Sequence, residues 1–175
     1  MSGRLIVFAG LPGTGKSTLA RMLAEALPAF LIRIDTIEQA FLSNPDGATN
    51  AGALGYVIAY RVAADNLRLG ASVMADCVNP LQVTREAWRE VAKAENVPIF
   101  NIEVVCSDAV EHRRRVETRT ADIEHLLLPT WEDVVAREYV PWIDKRTVID
   151  TAHISPDDAL QKLLGSLQSG NSTYR

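Results

Sequence analysis

Two cysteines, Cys77 and Cys106, are all that 175 residues contain. So few exclude a disulfide-stapled secreted scaffold, and with no C-x-x-C pair they exclude a zinc ribbon and a thioredoxin-type redox centre as well. Each ends or follows an expected strand, so both read as reduced, buried thiols that act as small hydrophobes and suit a reducing cytoplasm. Histidine is nearly as sparse. His112, His125 and His153 are scattered without metal-ligand spacing and read as structural or solvent-exposed. Long apolar runs are missing too. The run 5–10 is far too short for a signal-peptide core or a membrane span, so neither a targeting segment nor an anchor is expected. Positive charge is not in excess: 18 Lys and Arg against 22 Asp and Glu leave a net charge of −4. That argues against broad nucleic-acid binding, while leaving room for a local basic groove.

What is present is globular. Hydrophobic residues make up 47% and charged residues 23%, and the length suits one domain with a sizeable core. We read 1–170 as that domain and 171–175 as a loose tail. Residues 4–9 form a continuous apolar, β-rich run, the pattern of a strand buried on both faces of a parallel sheet. Leu19, Leu23, Ala26 and Leu27 then recur at helical spacing until Pro28. Further strands are expected at 30–34, 72–75, 99–106 and 147–150. A helix is expected to start at Asp35, with Asp35 as N-cap and Glu38 as its capping-box partner. Others run from Leu54 to near Gly70, over 84–95, and over 131–139 until Pro141. Ser107 is expected to cap the helix carrying Arg113, Arg114 and Arg115. Ser155 and Asp158 are expected to cap a last helix whose buried stripe is Leu160, Leu163, Leu164 and Leu167. Residues 44–50, rich in Asn, Asp, Pro and Gly, read as an exposed loop. Strands alternating with helices imply an α/β fold: a five-stranded parallel sheet with helices on both faces and right-handed crossovers. Ligands of such sheets bind beyond the carboxyl ends of the strands.

Residues 10–17, Gly-Leu-Pro-Gly-Thr-Gly-Lys-Ser, match G-x-x-x-x-G-K-[ST] in full, after a buried strand and at the start of a helix, which is the context the motif requires. Gly10, Gly13 and Gly15 let backbone N–H groups converge on phosphate oxygens, and the helix N-terminus adds its positive end. We assign Gly10, Pro12, Gly13, Thr14, Gly15, Lys16, Ser17 and Thr18 to nucleotide binding. Lys16 reaches the β- and γ-phosphates and Ser17 ligates Mg²⁺. ATP is expected over GTP, since the guanine-specific N-K-x-D motif is missing. Asp76 closes an apolar strand on the same crevice and is placed to orient Mg²⁺; an ordinary turn Asp beside Asn79 and Pro80 is the plain alternative. Asp35 follows another strand and has two compatible readings, a helix cap and a proton acceptor for an attacking hydroxyl.

With these residues in place the chain resembles the small P-loop kinases of the AAA_33 type, among them polynucleotide-kinase-like domains, chloramphenicol phosphotransferase and relatives of gluconate and adenylylsulfate kinases. The resemblance spans roughly 4–165. It rests on 10–17, on Arg33, Ile34 and Asp35, on 73–79 with Arg85 beyond, and on 115–119, Arg-Val-Glu-Thr-Arg. It implies transfer of the γ-phosphoryl group of ATP to the hydroxyl of a small acceptor. Asp35 would orient or deprotonate the acceptor, and Arg115 and Arg119 would belong to a lid over 115–130. Residues 150–153 would lie near the adenine. Arg side chains on a mobile segment are suited to the charge that spreads over a transferring phosphoryl group. Arg113 and Arg114, with Glu111 and Glu117 beside them, read instead as a solvated helix face. The lid departs from the arginine-rich pattern of nucleotide kinases, for Arg119 is the last Arg before Arg137. Trp88, Trp131 and Trp142 read as packing residues, with stacking on an acceptor ring as a second role for Trp131. Arg61 and Arg85 read either as ligands of an acidic acceptor or as helix-surface charge. Two other functions share the same loop: a 5′-hydroxyl polynucleotide kinase, which needs a basic channel, and a nucleotide-dependent switch ATPase that contacts a protein partner.

Overall fold

The computed structural model describes residues 3–44 and 51–170. From residue 45 on, the loop expected at 44–50 lies outside the described residues, as does the tail 171–175. Strands β1 (Leu5–Ala9), β2 (Ala29–Arg33), β3 (Ser72–Asp76), β4 (Ile99–Val105) and β5 (Thr147–Asp150) pair in the order β2-β3-β1-β4-β5, every pair parallel. The helices are α1 (Lys16–Ala26), α2 (Ile34–Leu42), α3 (Leu54–Arg68), α4 (Gln82–Ala94), α5 (Ala109–Thr118), α6 (Trp131–Ala136) and α7 (Pro156–Gly170).

The apolar run at the N-terminus lands at the centre of the sheet because all five residues of β1 are buried, and only a strand with neighbours on both edges and helices on both faces can bury each one. Alternation divides its side chains. Leu5 and Val7 join Ala59, Ala63 and Leu67 of α3 and Trp88 and Ala92 of α4. Ile6 and Phe8 join Leu19 and Leu23 of α1 and Ala159, Leu163 and Leu167 of α7. Each such side chain contributes roughly 1.5–3 kcal/mol by leaving water. Both cysteines are free and buried, as expected; burial pushes the Cys77 thiol up to about 12, which leaves it unreactive.

Three local expectations are corrected. Helix α2 begins at Ile34, directly after β2, with extended Arg33 at the cap position and no side-chain cap bond. Asp35 is therefore not the N-cap. Glu38 packs instead across α3, where a Cβ on Gly55 would meet its Cγ at 2.5 Å. Asp108, not Ser107, caps α5, accepting from the backbone N–H groups of Val110 and Glu111; Ser107 N–H donates to Asp150 Oδ1 at 3.1 Å. Helix α6 stops at Ala136, short of the expected residue 139, because the chain beyond it is drawn out to reach the loop after β3, where Val140 N–H donates to Pro80 O. The last helix is capped as its sequence indicates: Asp158 N–H donates to Ser155 Oγ at 3.1 Å and the Ser155 hydroxyl to Asp158 Oδ2 at 2.7 Å. Parallel strands bring all their carboxyl ends to one edge, so Gly10, Asp35, Asp76 and Thr151 meet there although they are spread through the chain.

Candidate active site

The loop between β1 and α1 owes its path to glycine. Gly13 has φ +86°, and a Cβ there would lie 2.5 Å from Val116 Cγ2 of α5. Gly15, with φ 91°, is the N-cap of α1. Both positions lie in the left-handed region that side chains disfavour. The loop is also braced from outside. Thr14 donates to Leu11 O at 2.9 Å, and its own carbonyl accepts the Thr151 hydroxyl at 2.7 Å. His112 Nε2 lies 2.9 Å from Pro12 O; a carbonyl only accepts, so that nitrogen carries the proton. The His112 ring meets Trp131 edge-on, with centroids 5.3 Å apart. This gives His112 the structural role expected for it and Trp131 a packing role.

Lys16 and Asp76 form the buried electrostatic centre. Lys16 Nζ is 2.7 Å from Asp76 Oδ1, with both side chains almost wholly out of water. Burial by itself would push the Asp76 carboxyl up, but Lys16, Ser17 and Arg33 outweigh it and hold the group below its ordinary value. Burial likewise pulls the Lys16 ammonium down and Asp76 more than restores it. Both therefore stay charged. Ser17 adds to the pull that keeps the Asp76 carboxylate charged, and its hydroxyl accepts from Lys16 Nζ at 3.4 Å. Among the described residues no group of three or more His, Cys, Asp or Glu could hold a metal ion. An all-oxygen pair, hydroxyl and carboxylate, beside a phosphate loop does fit a Mg²⁺ whose remaining ligands are phosphate oxygens and water. Thr18 is exposed on the first turn of α1.

Asp35, half-buried in the first turn of α2, lies within electrostatic reach of Lys16, Arg33, Glu38 and Arg119. Burial and the Asp35 charge push Glu38 up, against the pull of Arg137. Arg119 follows α5 and is half-buried; burial pushes its guanidinium down while Asp35 and Asp122 pull it up. Its Nε is buried without a hydrogen-bond partner, so this arginine holds a donor in reserve beside the acids.

Arg115 sits elsewhere. It belongs to the last turn of α5 and donates to Glu111, to Thr151 Oγ1 at 2.8 Å and to Thr151 O at 2.9 Å. The stretch 115–130 expected as a lid is therefore not uniform. Residues 115–118 are helical, and the irregular segment is 119–130. Arg115 reaches the phosphate loop through Thr151, a link of 36 residues that the sequence does not advertise.

The two readings offered for Arg85 are both replaced. Arg61 is exposed on α3, but Arg85 is 1% exposed. It donates to the carbonyls of Asn79, Pro80, Val140 and Pro141 and lies 4.0 Å from the centre of the Trp142 ring. It clamps the loop after β3 to the irregular run before β5, and so fixes the path on which Asp76 ends. Arg85→Met is expected to destabilise the fold by about 3 kcal/mol, since several buried carbonyls lose their donor at once. A lowered urea midpoint with an unchanged slope would show it.

Arg33 and Asp122 are site residues that sequence reasoning missed as a pair. Arg33 forks onto Asp122 at 2.9 and 3.0 Å across 89 positions, and its Nε lies 3.4 Å from Asp76 Oδ2. Arg33 stood in a recognised segment at a strand end, but nothing local marks Asp122.

The profile of the AAA_33 family, described as an AAA domain, matches residues 5–139. A protein of Sorangium cellulosum (strain So ce56), named "Probable bifunctional SAT/APS kinase 2", is 33% identical over 117 residues, which are 61% of this chain and 18% of that protein. The chain thus spans less than a fifth of that curated relative. Among solved structures, Mycobacterium tuberculosis APS kinase CysC in complex with AMPPNP and APS superposes with a TM-score of 0.70 at 19% identity, covering 95% of this chain and 98% of the other. A gluconokinase from Sinorhizobium meliloti 1021 gives 0.65 at 16%, covering 96% and 93%. Chaetomium thermophilum Kti12 in complex with ADP-AlF3 gives 0.66 at 23%, covering 92% and 97%. At these identities the structures speak for a shared fold. Among the described residues no helix is long and apolar enough to cross a membrane.

Proposed function

The chain belongs to the AAA_33 family, and from that premise we propose that it is an ATP-dependent phosphotransferase, moving the γ-phosphoryl group to a hydroxyl of a small acceptor. The observation that carries this reading is the position of Asp35. Because β2 runs into α2 without a turn, its carboxylate is not spent on capping, and it stands in the combined field of Lys16 and Arg119. A carboxylate so placed suits a hydroxyl that must lose its proton as it attacks phosphorus.

In this mechanism the backbone N–H groups of 13–17 and the Lys16 ammonium hold the β- and γ-phosphates. Ser17 and Asp76 would hold Mg²⁺, and the ion when bound would neutralise phosphate charge. Asp35 orients the acceptor hydroxyl and takes its proton. Arg119 swings its unspent donor onto the charge that develops on the equatorial oxygens. Arg115 positions rather than reacts: through Thr151 it steadies the carbonyl side of the loop, and the 150–153 turn so fixed is the proposed adenine side. The likeness to APS kinase and gluconokinase supports a small acceptor of that general kind without selecting one.

The test is ADP release from Mg-ATP across antibiotics, sugar acids, adenylylsulfate, nucleosides and oligonucleotides with a free 5′-hydroxyl. One acceptor raising turnover far above the water background supports the reading and identifies the acceptor class. Bound ATP with background turnover for every acceptor would replace it with the switch ATPase, and a response confined to oligonucleotides with the polynucleotide kinase.

A further inference from the structure

Four charged side chains stand in series from the phosphate loop to the irregular segment 119–130, and a fifth, on α1, joins the last of them. Lys16 meets Asp76 at 2.7 Å, and the other oxygen of Asp76 faces Arg33 Nε at 3.4 Å. That nitrogen is buried and makes no hydrogen bond, because the fork of Arg33 is committed to Asp122. Asp122 Oδ2 also accepts from Arg21 of α1 at 2.6 Å. Arg33 is thus shared between a carboxylate at the chemistry and one on the segment that carries Arg119, and its geometry favours the second.

We propose that Asp122 is a positioning residue that couples the 119–130 segment to occupancy of the phosphate loop. Phosphate oxygens draw Lys16 away from Asp76, Arg33 turns toward the carboxylate that has lost its partner, and the segment bearing Asp122 and Arg119 is released to close over the nucleotide. The inference rests on reading 10–17 as the nucleotide's phosphate site. Burial decides which carboxylate wins Arg33. The Asp76 side chain is 3% exposed and the Asp122 side chain 46%. A buried charge without a partner costs far more than a half-exposed one that keeps water and Arg21.

This coupling has a sign that a merely structural ion pair does not produce. Asp122→Asn removes the competitor for Arg33, so it should tighten binding of Mg-AMPPNP about fivefold, an ordinary coupling strength, while speeding amide hydrogen exchange over 119–130. Arg21→Ala makes Asp122 more dependent on Arg33 and should weaken nucleotide binding. Asp122→Glu should return both readouts toward those of the native chain. Titration calorimetry and hydrogen exchange on the full chain measure them. Tighter binding in the first variant with weaker binding in the second supports the latch. Unchanged or weaker binding by a folded Asp122→Asn variant, with the native chain binding normally, overturns the latch alone. If Asp122→Asn does not fold, unchanged binding by Arg21→Ala overturns it. No binding by the native chain overturns the nucleotide reading and the latch with it.

Discussion

Asp35→Asn is expected to lower phosphoryl transfer about 10²–10⁴-fold, the usual worth of a positioned general base, while Mg-AMPPNP still binds. The substitution keeps the size of the side chain and its ability to accept a hydrogen bond, and removes its affinity for a proton. It is a clean test here because Asp35 makes no cap bond to α2, so no helix cap is lost with the charge. It also removes a negative charge facing Lys16 and Arg119, which should favour nucleotide binding slightly, so any loss of turnover lies in the transfer step. The measurement is steady-state ADP release with the most active acceptor of the panel, beside calorimetric nucleotide titration. Full transfer activity in a folded Asp35→Asn variant would remove the central residue of the proposed mechanism.

Lys16→Met should lower transfer by about 10³-fold, since an ammonium aimed at the β- and γ-phosphates supplies charge stabilisation that methionine cannot. It carries a second, separable effect. Asp76, 4% exposed, loses the cation at 2.7 Å and keeps Arg33, at 3.4 Å, as its remaining cation, so the fold should lose about 3 kcal/mol. The pH dependence follows from the direction of the Asp76 shift. Its carboxyl is held below the ordinary value in the folded chain, so the pair's contribution is fully present above the unfolded carboxyl pKa and is lost as pH falls through the folded one. The stability gap between native and variant should therefore narrow on acidification. Adding Asp76→Asn to Lys16→Met should restore much of the stability and none of the activity. A double variant as unstable as the single one would show that the buried charge is not the cause.

The phosphate loop was legible because everything that builds it is contiguous. Strand, glycines, Lys16, Ser17 and the opening of α1 lie within one short stretch, and each residue type has a local steric or electrostatic reason to be there. The parallel sheet was legible for a similar reason. Unbroken apolar runs such as 5–9 can be buried only in the middle of a covered sheet, and the alternation with helices decides that neighbouring strands run the same way. Caps were read less well. Asp35 and Ser107 carry the right residue types, but capping depends on backbone dihedrals at a junction, and Arg33 reached the extended cap geometry first while Asp108 stood one residue nearer the helix.

Partnerships across the chain were not legible at all. Arg85 looked like surface charge or an acceptor ligand because α4 by itself does not reveal that residues 139–142 fold over it. Arg115 looked like a lid residue because its bond to Thr151 joins α5 to the turn after β5. Asp122 looked like nothing, since its two cations come from α1 and the end of β2. By itself the sequence determined the sheet, the loop that cradles phosphate and the edge at which the acids gather, because those follow from local sterics and the period of apolar residues. Only the tertiary structure decided which arginine serves which carboxylate, because a charge chooses its partner by burial and distance, and neither exists until the strands are side by side.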